Sequence, residues 1–219
     1  MSRFESVLFD LDGTLVDSKR GVIDCLRHAV AAAGIEPPSP AEMNWCVGPP
    51  LRSVFERLLS SNEPGLIEKT HATYINHYEK DGIFKARVFD GVIEMLDRLY
   101  QRDLRLFVVT SKLALTAQRM VRTLDLNSFF DSVIGAEVDG RLAEKTKSVA
   151  FALRRENLSL ASTAMVGDRE QDMAGARHNR VFGIGVEYGY GSRAELSTAG
   201  ANAICASPAA VADLLLNSA

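Results

Sequence analysis

The sequence has no apolar run near the ~18 residues that a membrane-spanning helix requires, so no stretch of it reads as a bilayer segment. It is also poor in cysteine. Cys25, Cys46 and Cys205 are odd in number and unpatterned, which argues against a disulfide framework or a zinc motif and suggests thiols kept reduced in the cytoplasm. Excess positive charge is missing: 25 Lys and Arg stand against 28 Asp and Glu, a net charge of −3, so neither nucleic acid nor an anionic membrane is the expected partner. There are no internal repeats or low-complexity segments. The polar lead-in Met1–Glu5 passes directly into an apolar strand, and no signal peptide is expected. What remains is an ordinary globular composition, with 47% hydrophobic and 24% charged residues, long enough at 219 residues for one large domain carrying a smaller insertion.

The organising stretch is Val7-Leu8-Phe9-Asp10-Leu11-Asp12-Gly13-Thr14-Leu15. Three apolar residues in a row predict a strand buried on both faces, ending at Asp10 where Asp12-Gly13-Thr14 supplies turn chemistry. Two carboxylates one residue apart then stand at the carboxyl end of a strand, where open α/β sheets bind ligands. One carboxylate there can attack phosphorus while its neighbour moves protons. A plain strand-to-turn boundary is the bland alternative. A calcium loop fails, because its sixth and twelfth positions would be Leu15 and Gly21 rather than glycine and an acid.

Residues 17–86 read as all-helical, too long for a simple connection, and predict an inserted helical domain between two parts, 1–16 and 87–219, of an α/β domain. Within the insertion, helices are expected from Ser18 to Ala33, from a Ser39–Glu42 capping box, over Leu51–Leu59, and over Glu63–Lys80. From Phe89 onward short apolar strands alternate with helices: strands at Arg105–Thr110, Ser132–Ala136, Thr163–Val166, Val181–Val186 and Ala203–Cys205. This alternation predicts a Rossmann-like, doubly wound parallel sheet with helices on both faces.

Three further element boundaries carry usable chemistry. Thr110-Ser111-Lys112 follows the second long strand and suggests hydroxyls and N–H groups at a helix N-terminus, with Lys112 left in solvent. Lys145 opens a helix, with Lys147 as its rival. Gly167-Asp168-Arg169-Glu170-Gln171-Asp172 ends the next strand with two carboxylates four residues apart.

Taken with Phe9–Leu15, these four motifs in this order resemble those of the haloacid dehalogenase-like superfamily, most of whose members are magnesium-dependent phosphatases. The resemblance covers essentially the whole chain. It implies Asp10 as nucleophile, Asp12 as general acid and base, Thr110 as a donor to a phosphoryl oxygen, and Lys145 as the charge that neutralises the phosphoryl group and orients Asp10. It implies Mg2+ held by Asp10, the Asp12 backbone carbonyl and Asp168, with Asp172 binding through water or orienting the others. Gly13 and Ser111 are expected beside the substrate. The Gly48-Pro49-Pro50-Leu51-Arg52 loop resembles a cap loop that reads the substrate, with Arg52 as the candidate side chain. Tyr188-Gly189-Tyr190-Gly191-Ser192, with Glu195-Leu196, resembles a segment of phosphoglycolate phosphatases, although a Gly-rich surface loop explains it equally well.

The implied activity is a cytoplasmic, magnesium-dependent phosphatase of small monoesters such as phosphoglycolate, working on a small phosphorylated metabolite as a monomer or homodimer. A 5'-nucleotidase, an inorganic pyrophosphatase or a phosphosugar mutase would keep the same motifs. A non-catalytic phosphate-sensing protein would not need the Asp10–Asp12 pair. His28, His71, His77 and His178 read as surface or satisfied histidines, and Trp45 as core.

Overall fold

The computed structural model describes residues 3–218; Met1 and Ser2 of the lead-in, and Ala219, lie outside the described residues. The chain forms two compact units: one holds the residues up to Val16 together with those from Val88 on, and the other is Asp17–Arg87.

Eight strands occur among the described residues: β1 (Ser6–Phe9), β2 (Val16–Asp17), β3 (Arg87–Val88), β4 (Arg105–Leu113), β5 (Ser132–Ala136), β6 (Thr163–Gly167), β7 (Phe182–Val186) and β8 (Ala203–Cys205). β2 and β3 pair with each other where the chain leaves and re-enters the first unit. The other six form one sheet in the order β5-β4-β1-β6-β7-β8, with every pairing parallel. Val7, Leu8 and Phe9 are fully buried, as a central strand covered on both faces requires. Leu8, Phe107, Val109, Ile134 and Met165 form one core cluster with Val149, Ala152, Leu153 and Ala176 from the helices α6 (Lys145–Arg155) and α7 (Glu170–His178). The remaining helices of this unit are α4 (Val92–Tyr100), α5 (Ala114–Thr123), α8 (Arg193–Thr198) and α9 (Pro208–Asn217). This is a Rossmann-like α/β core.

The strand order fixes where chemistry can sit. The chain leaves β1 for β4 and β5 on one side, then returns to β6 on the other, so a crevice opens at the carboxyl ends of β1 and β6. Phe9 is in register with Val108 on β4 and Val166 on β6. Asp10, Thr110 and Asp168 therefore emerge at nearly the same level.

Two local expectations are corrected. β4 does not stop at Thr110; it runs to Leu113 through an irregularity in its pairing with β5, and α5 starts only at Ala114. Ser111 thus stands on an extended strand and not at a helix N-terminus. The helix α8 after Tyr188–Ser192 is one for which the sequence makes no prediction, because six residues capped by Ser192 are too few to show a period.

The second unit holds α1 (Lys19–Ala32), α2 (Leu51–Leu58) and α3 (Pro64–Lys80), with 3-10 turns at Pro40–Cys46 and Gly82–Lys85. Ser39 and Glu42 form the expected box: the Ser39 N–H donates to Glu42 Oε2 at 2.9 Å, yet the turn it opens is 3-10, not α. Ser18 precedes α1 without a side-chain cap bond. Trp45 is only half-buried, lying 3.8 Å beneath the Arg57 guanidinium, and Phe84 is exposed, so neither belongs to the core. Tyr74 and Tyr78 stack inside, against Phe55.

Within the helical unit α1 packs tightly on the 82–85 turn: a Cβ on Gly21 would lie 2.2 Å from the Gly82 carbonyl oxygen. Gly21→Ala is expected to destabilise the protein by about 1–3 kcal/mol, since backbone must move to admit the methyl. An unchanged urea midpoint would mean these segments are not in such contact.

Candidate active site

The site grows from the ends of three adjacent strands. Asp10 follows β1, its N–H donating to the Val166 carbonyl at 2.9 Å, which locks the backbone as it leaves the sheet. Asp168 follows β6 and is fully buried. Asp172 lies in the first turn of α7, where a carboxylate suits the helix dipole. One oxygen each from Asp10, Asp168 and Asp172 lies within 4.8 Å of the others.

Lys145 ties these acids together. It opens α6 with its side chain buried, and its Nζ lies 2.7 Å from Asp10 Oδ1, 2.9 Å from Asp172 Oδ1 and 2.9 Å from the Val109 carbonyl. Burial alone would lower its pKa, but the two carboxylates outweigh that and hold the ammonium charged above its ordinary range. Lys147, the rival, is exposed and pairs with Glu144 at 2.8 Å.

Asp12 has its own cation. Lys112 Nζ contacts both of its carboxylate oxygens, at 2.9 and 3.1 Å, and both side chains are nearly buried. This corrects the expectation of a solvated Lys112. The missed signal is strand period: Thr110 and Lys112 are two apart on β4 and point to one face. Thr110 is buried, and its Oγ1 accepts from the Lys112 N–H at 3.2 Å, which leaves its hydroxyl proton as a donor. Ser111 is half-buried on the intervening position.

The loop after β7 is the second feature that sequence reasoning undervalued. Tyr190 N–H donates to Asp168 Oδ2 at 2.8 Å, and Thr14 Oγ1 donates to Asp168 Oδ1 at 3.2 Å. Tyr188 Oη donates to the Thr14 carbonyl at 3.0 Å, closing a ring of contacts around Asp168. A Cβ on Gly189 would lie 2.2 Å from the Gly13 oxygen and 2.4 Å from Asp168 Cβ. Gly13 itself has φ of +92°, and a Cβ there would lie 2.3 Å from Asp168 Oδ2. Both glycines therefore exist to let backbone reach Asp168, and Tyr188–Ser192 is a wall of the site, not a free surface loop.

The charges do not balance. Four carboxylates face two ammonium groups, and the cost falls on the most buried acids. Burial, partly offset by Lys145 and reinforced by Asp172 and Asp12, pushes Asp10 up to about 6. Burial together with Asp172 and Asp10 raises Asp168 well above the carboxylate range. A crowded, all-oxygen donor set with surplus negative charge fits a hard divalent cation. Asp172 has one oxygen on Lys145 and the other accepting from the Arg169 N–H at 3.1 Å, a geometry that suits orienting its neighbours.

The other candidates lie elsewhere. Arg52 is in α2 of the helical unit, exposed and paired with Glu56 at 3.0 Å. His28 and His77 stack on each other in that unit, His71 packs near Phe55, and His178 ends α7.

Strand-end acids clustered on a buried lysine define a hydrolase built for phosphoryl or related group transfer. The chain belongs to the haloacid dehalogenase-like hydrolase family, whose model matches residues 7–186. It is 35% identical over 217 residues to a 5'-nucleotidase from Pseudomonas aeruginosa, covering 97% of this chain and 96% of that protein. It is 34% identical over 185 residues to the tyrosine-protein kinase PtkA of Mycobacterium tuberculosis, covering 84% of this chain and 62% of that protein. The crystal structure of a predicted phosphatase from Clostridium acetobutylicum is 32% identical and superposes with a TM-score of 0.93, covering 98% of this chain and 99% of the other.

Because its pKa is raised, ionised Asp168 costs the metal-free fold stability near neutral pH. Asp168→Asn keeps the shape and can still accept from Tyr190 while removing the charge. Chelator-treated Asp168→Asn is expected to be more stable than wild type by about 0.5–2 kcal/mol and catalytically inactive. A less stable variant would mean that the carboxylate is a net support of the empty site.

Proposed function

We propose that the protein is a magnesium-dependent phosphatase of small phosphate monoesters that works through an aspartyl phosphate on Asp10. The single observation behind this reading is Asp10 itself: a buried carboxylate at the centre of the sheet, pinned by Lys145 through one oxygen and placed beside Asp168 and Asp172. Mg2+, held by Asp10, Asp168 and the Asp12 backbone carbonyl with Asp172 orienting, would neutralise phosphoryl charge and supply electrophilic polarisation.

In the first half-reaction an Asp10 oxygen bonds to phosphorus as the ester P–O bond breaks, and Asp12 gives its proton to the departing alkoxide. In the second, Asp12 takes a proton from the water that attacks the aspartyl phosphate, releasing inorganic phosphate and restoring Asp10. Lys145 and the Thr110 hydroxyl balance the charge on the phosphoryl oxygens, so positioning and electrostatics supply most of the acceleration. Lys112 sits on Asp12 in the resting protein, and an incoming phosphoryl group competes for that ammonium. Its transfer to the substrate frees Asp12 to carry a proton.

These core groups read only the phosphoryl end of a substrate. The full-length similarity to a 5'-nucleotidase makes nucleoside monophosphates the favoured substrates over phosphoglycolate. The Tyr188–Ser192 segment, which resembles phosphoglycolate phosphatases, is occupied with holding Asp168 and gives no guide to the substrate. Arg52 is our candidate for recognising a second anionic group. No helix of the described residues is long and apolar enough to cross a membrane, and the three cysteines are unbridged, which suits a cytoplasmic enzyme.

Steady-state assays on nucleoside monophosphates, phosphoglycolate, pyrophosphate and an aryl phosphate test the reading. Free phosphate release should require Mg2+, vanish with EDTA and return on adding Mg2+. Asp10→Asn should lose at least about a thousandfold in kcat with its fold intact, as expected for a nucleophile. Nucleoside monophosphates should lead in kcat/KM by at least roughly tenfold, or about 1.4 kcal/mol. Full activity in chelator, or near-native turnover by Asp10→Asn, would contradict the mechanism. A lead by phosphoglycolate would overturn the substrate assignment alone.

A further inference from the structure

The helical unit brings together a second group of potential ligands, unrelated in chemistry to the acids of the α/β core. Cys25 Sγ, a nitrogen of His77 and a carboxylate oxygen of Asp81 all lie within 4.8 Å of one another. Cys25 is on α1, His77 is in the last turn of α3, and Asp81 is the residue that ends α3. His77 and Asp81 are four apart and so share a helix face. His28, three residues beyond Cys25 and hence on the same face of α1, stacks on the His77 ring with centroids 4.1 Å apart. The result is a buried thiol on one helix facing a His-x-x-x-Asp pair at the end of another, with His28 packed on the His77 ring.

We infer that Cys25, His77 and Asp81, with a water completing the shell, form a binding site for a thiophilic divalent cation such as Zn2+ in the helical unit, the stacked His28 ring lying outside the donor set. A mixed sulfur, nitrogen and oxygen set selects a borderline-soft ion over Mg2+, which takes oxygen and demands an octahedron. Zinc bonds of about 2.0–2.3 Å place neighbouring donor atoms roughly 3.3–3.7 Å apart, so the group must contract by about 1 Å. That is within reach of side-chain rotation, because Asp81 is half-exposed and His77 only half-buried.

Lys85 is the built-in competitor. Its Nζ lies 2.6 Å from Asp81 and 3.0 Å from Asp24. When Asp81 turns to a metal, Lys85 keeps Asp24 as a partner, so loading the site does not strand a charge. On coordination the Cys25 thiol gives its proton to solvent and binds as thiolate. The cysteines show no zinc spacing along the sequence because a second helix supplies two of the three protein ligands.

Cobalt(II) added to the intact protein is the probe. A thiolate-bound cobalt gives a near-ultraviolet charge-transfer band that carboxylate ligands cannot produce, so the core acids are silent. One equivalent of Co2+ should develop this band, and Zn2+ should bleach it at equal stoichiometry. Cys25→Ser should abolish the band. His77→Ala, at a partly exposed position, should weaken Zn2+ binding by more than the roughly 10–100-fold typical of losing an outer-shell partner while leaving the folded state intact by circular dichroism. A folded wild-type protein without the band, a band that survives Cys25→Ser, or unchanged Zn2+ affinity in His77→Ala would each overturn the assignment.

Discussion

The buried ammonium of Lys145 is the contact on which the α/β unit's site depends. It joins the end of β1 through Asp10, the start of α7 through Asp172 and the body of β4 through the Val109 carbonyl. Three elements far apart in sequence are thereby held to one point. Burying any one of these charges alone would be prohibitive, and removing one partner from such a group typically costs about 3–5 kcal/mol. Lys145 makes the assembly possible, but it does not neutralise it. Asp168 is left with hydrogen bonds from Thr14 and Tyr190, and the nearby Arg169 offsets too little of its charge to keep its carboxyl from being raised.

That imbalance explains why so much of the surrounding backbone is glycine. Gly13 and Gly189 approach Asp168 at distances no side chain could share. The loop after β7 and the turn after β1 act as two walls, each giving a donor to the same carboxylate. A structural ion pair would not need this enclosure. The proposed role of Asp168 as a ligand held in one orientation does. Under the proposed function, stability is given up locally to keep negative charge ready for a cation.

Much of this was legible in the sequence, for identifiable reasons. Val7-Leu8-Phe9 and Leu106-Phe107-Val108-Val109 are apolar on consecutive positions, which only a strand covered on both faces tolerates, so the sheet could be read directly. Asp10 and Asp168 each stand at the end of a strand, where the change of period marks them, whereas Lys145 is set apart from Lys147 by the family resemblance and not by period. Lys112 was missed because β4 runs four residues past the apolar segment, and hydrophobicity alone cannot show where a strand ends in a polar site. The role of Tyr190 was hidden for a different reason. Its backbone N–H, not its side chain, meets Asp168, and no residue type announces a backbone donor. The ligand group of the helical unit was equally silent, since Cys25 and His77 come together only when α1 packs on α3.

The central claim is that Asp10 carries the phosphoryl group during turnover. Rapid quenching in acid during steady state, followed by borohydride reduction and peptide mass analysis, tests it directly. An aspartyl phosphate is reduced to homoserine, whereas free carboxylates are untouched. The account predicts reduction at Asp10 alone, dependent on substrate and Mg2+ and absent in Asp10→Asn. Steady phosphate release with Asp10 unreduced, or reduction at Asp12, Asp168 or Asp172 instead, would contradict it.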